Sequence, residues 1–115
     1  MTEPTIDRAV FDELKEAAGP EFVQELVDTF LTEAPLILDE LRRSFAQREP
    51  DAFRRAAHSL KSNANTFGAH ALGAMAKELE LGGLAPVVAA NGQSIEALAQ
   101  EYARVAAGLK ELRDA

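Results

Sequence analysis

Between residues 20 and 47 the apolar side chains recur at steps of three and four: Phe22, Val23, Leu26, Val27, Phe30, Leu31, Ala34, Leu38, Leu41 and Phe45. A helix of 3.6 residues per turn gathers such a set on one side. Pro35 lies inside the run, and the periodicity continues in phase beyond it. The proline is therefore expected to kink one long helix, with two separate helices as the alternative. Nowhere does the chain sustain the period-two alternation of a strand, so an all-helical fold is expected.

The rest of the chain supplies partners for that helix. Asp7 can cap a short helix of about 8–18 bearing Val10, Phe11, Leu14 and Ala18. Gly19 and Pro20 then stop one helix and start the next. Residues 1–5 read as a frayed lead-in. A third helix follows Glu49-Pro50-Asp51 and ends by Gly68. A fourth covers Ala69 to Leu81, with Leu72, Met75, Ala76 and Leu79 inward, and Gly82-Gly83 breaks it. Residues 84–93, interrupted by Pro86 and Asn91-Gly92, give no definite element. From Ser94, read as an N-cap, Ile95, Leu98, Tyr102, Val105, Leu109 and Leu112 form a heptad-like seam. The expected architecture is one domain over residues 1–115: an antiparallel four-helix bundle with a short additional N-terminal helix as a lid.

Composition removes several classes of function. With no cysteine there is no disulfide, thiolate metal site or thiol catalysis. No apolar run reaches the roughly 18 residues of a membrane span, and the N-terminus lacks a basic-then-apolar signal. A cytoplasmic chain without membrane contact is expected. The net charge of −7 argues against nucleic acid, whose binding rests on phosphate neutralisation. Neither a phosphate-binding glycine loop nor a serine–histidine–acid motif is present. No HxxxH or HExxH spacing suggests a metal site, and His70 reads as a surface residue near a helix start.

One segment departs from this acidic background. Asp51, Arg54, Arg55, His58, Lys61, Ser62 and Asn65 fall within about 60° of His58 on a helical wheel. Phe53, Ala56, Ala57, Leu60, Ala64 and Phe67 fall opposite, with Asn63 as the one polar intruder. His58 thus stands mid-helix on a wet face, with two arginines one turn before it and Lys61 and Ser62 one turn after. A neutral imidazole is a nucleophile that forms covalent intermediates. Neighbouring cations disfavour the imidazolium and would favour a phosphoryl group once attached. Lys61 suits that second task as a mobile point charge. Small Ser62 leaves room beside the ring for another protein. The set describes a phosphoryl acceptor that needs a partner.

The run His58-Ser59-Leu60-Lys61-Ser62, followed by Gly68-Ala69 ten residues beyond the histidine, resembles the signature of histidine-containing phosphotransfer (HPt) domains. Ala56-Ala57, Gly19-Pro20-Glu21-Phe22 before a long helix with Pro35, and Lys77-Glu78-Leu79-Glu80 fit the same pattern. The resemblance covers roughly residues 6–81. It implies a phosphorelay intermediate, in which His58 accepts a phosphoryl group from a receiver-domain aspartyl phosphate and passes it to another receiver. By position, Lys61 is the phosphate-stabilising cation, while Ser62 stands where glycine is commoner. Arg54, Arg55, Ser62 and Asn65 are expected to meet the partner, and apolar residues of the long second helix to form the docking patch.

The implied partners are response-regulator receiver domains and a hybrid histidine kinase. No cofactor of the chain's own, no autonomous kinase or nucleotide-dependent activity and no bound metal is implied; Mg²⁺ belongs to the receiver. A free-standing monomer with one active histidine is expected. The alternative is a non-catalytic module of the same shape that binds and sequesters a receiver. A sensor-kinase dimerisation domain fits less well, because Ser59, not an acid, follows His58 and the chain ends 57 residues later.

Overall fold

The computed structural model describes residues 5–114, and the expectation for residues 1–4 lies outside them. Six helices follow one another: α1 (Arg8–Ala18), α2 (Pro20–Gln47), α3 (Pro50–Thr66), α4 (His70–Gly82), α5 (Leu84–Ala89) and α6 (Gln93–Asp114). Among the described residues there is no strand, and no helix is long and apolar enough to cross a membrane.

Helix α2 is a single element, with Pro35 inside it. Gly19, at φ 92°, makes the break before Pro20, which fills the first helical turn where a missing N–H is harmless. At the other end Arg48 takes the left-handed conformation, and the N–H of Glu49 donates to the carbonyl of Ser44 at 2.9 Å. The chain is thereby turned directly into α3.

Helices α2, α3, α4 and α6 form a closed ring of neighbours: α3 packs on α2 and α4, and α6 packs on both of them from the other side. Cross-helix pairs fix their directions. Asp28 meets Arg113 while Arg42 meets Glu96, so α2 and α6 run antiparallel. Lys61 meets Glu80 while Asn65 lies beside Gly73, so α3 and α4 do too. The core between them is apolar, with Val27, Ala34, Leu41, Phe53, Leu60, Leu72, Leu98 and Leu109 buried. The Phe30 ring lies 5.4 Å from that of Phe67 and 5.8 Å from that of Tyr102, joining α2, the end of α3 and α6.

Helix α1 lies over the end of this core. Asp7 caps it, its Oδ1 accepting from the N–H of Ala9 at 3.0 Å. The N–H of Asp7 donates to the carbonyl of Gly68 at 2.9 Å, tying the lid to the α3–α4 turn. Of the four residues expected to face inward, Phe11 is buried and the others are only partly covered or remain near the rim.

One stretch that the sequence leaves open takes a definite form, and one expectation needs correction. Residues 84–93 contain a real helix, α5, because Pro86 stands in its first turn, where proline is tolerated. Leu84 and Val87 are buried there. Ser94 does not cap α6. Asn91 and Gly92 both have positive φ, and the Gly92 carbonyl accepts from Ile95 and Glu96, so the helix starts at Gln93 with Ser94 inside its first turn. The seam behaves as expected: Ile95, Leu98, Val105 and Leu109 are buried, and Tyr102 and Leu112 border the core.

Candidate functional site

Helix α3 places the site. Its apolar side, Phe53, Ala56, Ala57, Leu60, Ala64 and Phe67, is wholly buried, which forces the opposite stripe into solvent. His58 accordingly has a side chain 58% exposed, two turns inside the helix, on backbone held by a packed core. Arg54, Arg55, Ser62 and Asn65 are exposed on the same side.

The group nearest the imidazole is a carboxylate. Nδ1 of His58 is 2.7 Å from Oε2 of Glu80 on α4. The ammonium of Lys61 is 2.8 Å from Oε1 of the same carboxylate. That oxygen receives no hydrogen bond of good angle, and the ammonium satisfies it by charge. Glu80 is largely covered, with 18% of its side chain exposed. Its carboxyl is held below the ordinary glutamate range, first by Lys61 and then by His58, against the opposing effect of desolvation. An ionised carboxylate accepts only. The Nδ1 contact therefore requires the proton on Nδ1, which leaves the Nε2 lone pair facing solvent in the neutral ring.

This corrects the expected picture of a ring surrounded by cations. Lys61 does lie beside the histidine, but its charge is directed at Glu80. Arg54 is 3.9 Å from Asp51, and Arg55 lies near enough to Glu40 to lower that carboxyl. Asn65 leans over α4, its Oδ1 where a Cβ on Gly73 would stand. His70, the first residue of α4, is exposed as expected, and its Nε2 is 3.2 Å from Oδ2 of Asp7.

Glu80 was readable in sequence only as part of a pattern match, not as a neighbour of His58. The available signal was positional. Two antiparallel helices joined at Gly68 bring residues about ten before the turn level with residues about twelve after it.

Beside the histidine, between α2 and α3, runs an open groove of about 550 Å³. Leu36, Ile37, Ala52 and Ala56 form its apolar part, and it reaches Ser59, the residue after His58. Leu36 is 64% exposed and stands with Ile37, Ala52 and Ala56 in this groove.

The family model for the Hpt domain matches residues 25–114. The chain belongs to the Hpt-domain family. A comparison with curated protein sequences gave no match. Among solved structures, histidine-containing phosphotransfer protein B from Pseudomonas aeruginosa PAO1 is similar, at 28% identity and a TM-score of 0.82. The match spans 98% of this chain and 97% of that one. As an Hpt domain, the chain is a phosphotransfer intermediate of two-component phosphorelays.

Proposed function

We propose that His58 carries the phosphoryl group, through Nε2, between the aspartates of two receiver domains. The observation that carries this reading is the His58–Glu80–Lys61 triplet, with one carboxylate contacting both the ring and the ammonium. The Nε2 lone pair attacks phosphorus of the receiver's aspartyl phosphate. The bond from phosphorus to the carboxylate oxygen breaks, the aspartate leaves as a carboxylate, and an N–P bond forms. The Nδ1 proton stays on the ring, which becomes cationic, and the Glu80 carboxylate stabilises that charge. Lys61, one turn beyond His58 on the same helix, turns from Glu80 to the incoming phosphoryl oxygens. The return step reverses each event on a second receiver.

No nucleotide enters this scheme, and Mg²⁺ is supplied by the receiver, where it neutralises charge on the transferring group. The scaffold in this reading is an antiparallel four-helix bundle of α2, α3, α4 and α6, extended by α1 and α5. The groove of Leu36, Ile37, Ala52 and Ala56 takes the receiver's apolar docking face, while Arg54, Arg55, Ser62 and Asn65 edge the contact. The chain acts as a monomer with one active histidine, between receiver domains that include one attached to a hybrid histidine kinase.

The test is transfer from purified phosphorylated receivers to wild type and His58→Gln. Label on wild type alone supports the reading. Tight receiver binding without label would replace relay by sequestration.

A further inference from the structure

The groove beside His58 is apolar in its middle but is lined by two carboxylates, Glu33 and Glu40, both from α2. They are not equivalent. Glu40 is already engaged: Arg43 hydrogen-bonds both of its oxygens, and Arg43 is the first cause of its lowered pKa, with Arg55 adding to the effect. Glu33 has no hydrogen bond or ion pair among the described residues. The residues three and four positions away on its helix are Thr29, Phe30, Leu36 and Ile37, none of which is a cation. The groove's other polar side chains are Arg55, whose charge acts on Glu40, and the neutral Ser59 and Asn63.

Glu33 therefore puts an uncompensated charge at the rim of the apolar patch adjoining the histidine. A partner that seats an apolar face on Leu36 and Ile37 strips water from this carboxylate. That is unfavourable unless the partner brings an opposite charge. Such an arrangement selects by rejection as well as by attraction.

We propose that Glu33 is a specificity-determining residue, which admits receiver domains whose docking face carries a lysine or arginine opposite it and disfavours those with a neutral or acidic residue there. The inference rests on the relay reading above and specifies its partner. The favoured receiver is two-sided: an acidic pocket meets the Arg54–Lys61 face of α3, and a cation beside its apolar docking residues meets Glu33 on α2.

The experiment compares wild type, Glu33→Gln and Glu33→Lys in phosphoryl transfer from a panel of purified phosphorylated receiver domains. The receiver that loads wild type fastest is also made with single Lys→Glu or Arg→Glu changes on its docking face. At about 50 mM salt, Glu33→Lys is expected to slow transfer from that receiver about tenfold, and Glu33→Gln about threefold. The differences should shrink at about 0.5 M salt, where exposed charges are screened. One of the receiver reversals should restore transfer to Glu33→Lys. A general structural defect would give neither the salt dependence nor the rescue. If all three proteins are loaded at equal rates across the panel at low salt, the inference is overturned and the relay reading stands. If no receiver loads wild type, the relay reading has failed and takes the inference with it.

Discussion

Nδ1 of His58 and Oε2 of Glu80, on antiparallel neighbouring helices, lie 2.7 Å apart, a contact that places the ring proton on Nδ1 and leaves the Nε2 lone pair free in the neutral ring. Replacing Glu80 tests it. Glu80→Ala should slow phosphoryl transfer about tenfold, the scale expected when a residue that orients a reactive group is lost. Glu80→Gln keeps an oxygen that accepts from Nδ1–H and should retain more activity than alanine. Nitrogen shifts of the His58 ring should report one tautomer in wild type and a mixture in Glu80→Ala.

Lys61 is the larger cause of the lowered Glu80 pKa, with His58 the smaller. A carboxyl lowered in the folded state binds its proton less readily there than in the unfolded chain. Its contribution to stability is thus complete above the unfolded value and is lost as the pH falls through the folded one. Carbon NMR of the Glu80 carboxyl should give a midpoint below the ordinary glutamate value. Lys61→Ala should move that midpoint upward further than His58→Gln does.

Two glycines near the α3–α4 turn should respond differently to alanine. Gly68 has φ +76°, and a Cβ there would stand 2.9 Å from the Asp7 carbonyl oxygen and 2.9 Å from Cβ of Val10. Neither neighbour can move without displacing α1, so Gly68→Ala should cost about 2 kcal/mol in denaturant unfolding. At Gly73 the obstacle is the tip of the exposed Asn65 side chain, which can rotate away. Alanine also favours a helix interior over glycine, so Gly73→Ala should change stability by less than about 1 kcal/mol.

Leu60 lies between His58 and Lys61 in sequence and is fully buried. Leu60→Ala should destabilise the fold by about 2–5 kcal/mol, measured by denaturant unfolding. At temperatures where the variant remains folded, His58 should still be loaded.

Much of this was legible in the sequence, for identifiable reasons. The apolar steps in α2 and α6 each describe a face buried by a neighbouring helix, so periodicity alone located them. The polar stripe through His58 was equally plain, because its reverse side is continuously apolar. Helix α5 was not legible, since six residues are too short for periodicity and Pro86 looks like a break until it is known to occupy a first turn. Glu80 was missed as a neighbour of His58 for another reason. It lies 22 residues away, and only the packing of α3 on α4 makes the two adjacent. The distinction between Glu33 and Glu40 likewise depends on where Arg43 directs its guanidinium, which the sequence does not state.

The central claim is that phosphorus is carried on Nε2 of His58. The most direct measurement is phosphorus–proton correlation NMR on the protein after loading from a phosphorylated receiver, with His58→Gln as control. The prediction is a single phosphoramidate signal coupled to the ring protons of His58 in the pattern of an Nε2 adduct, and no signal from the variant. A signal assigned to Nδ1, or one that survives in His58→Gln, would contradict the account.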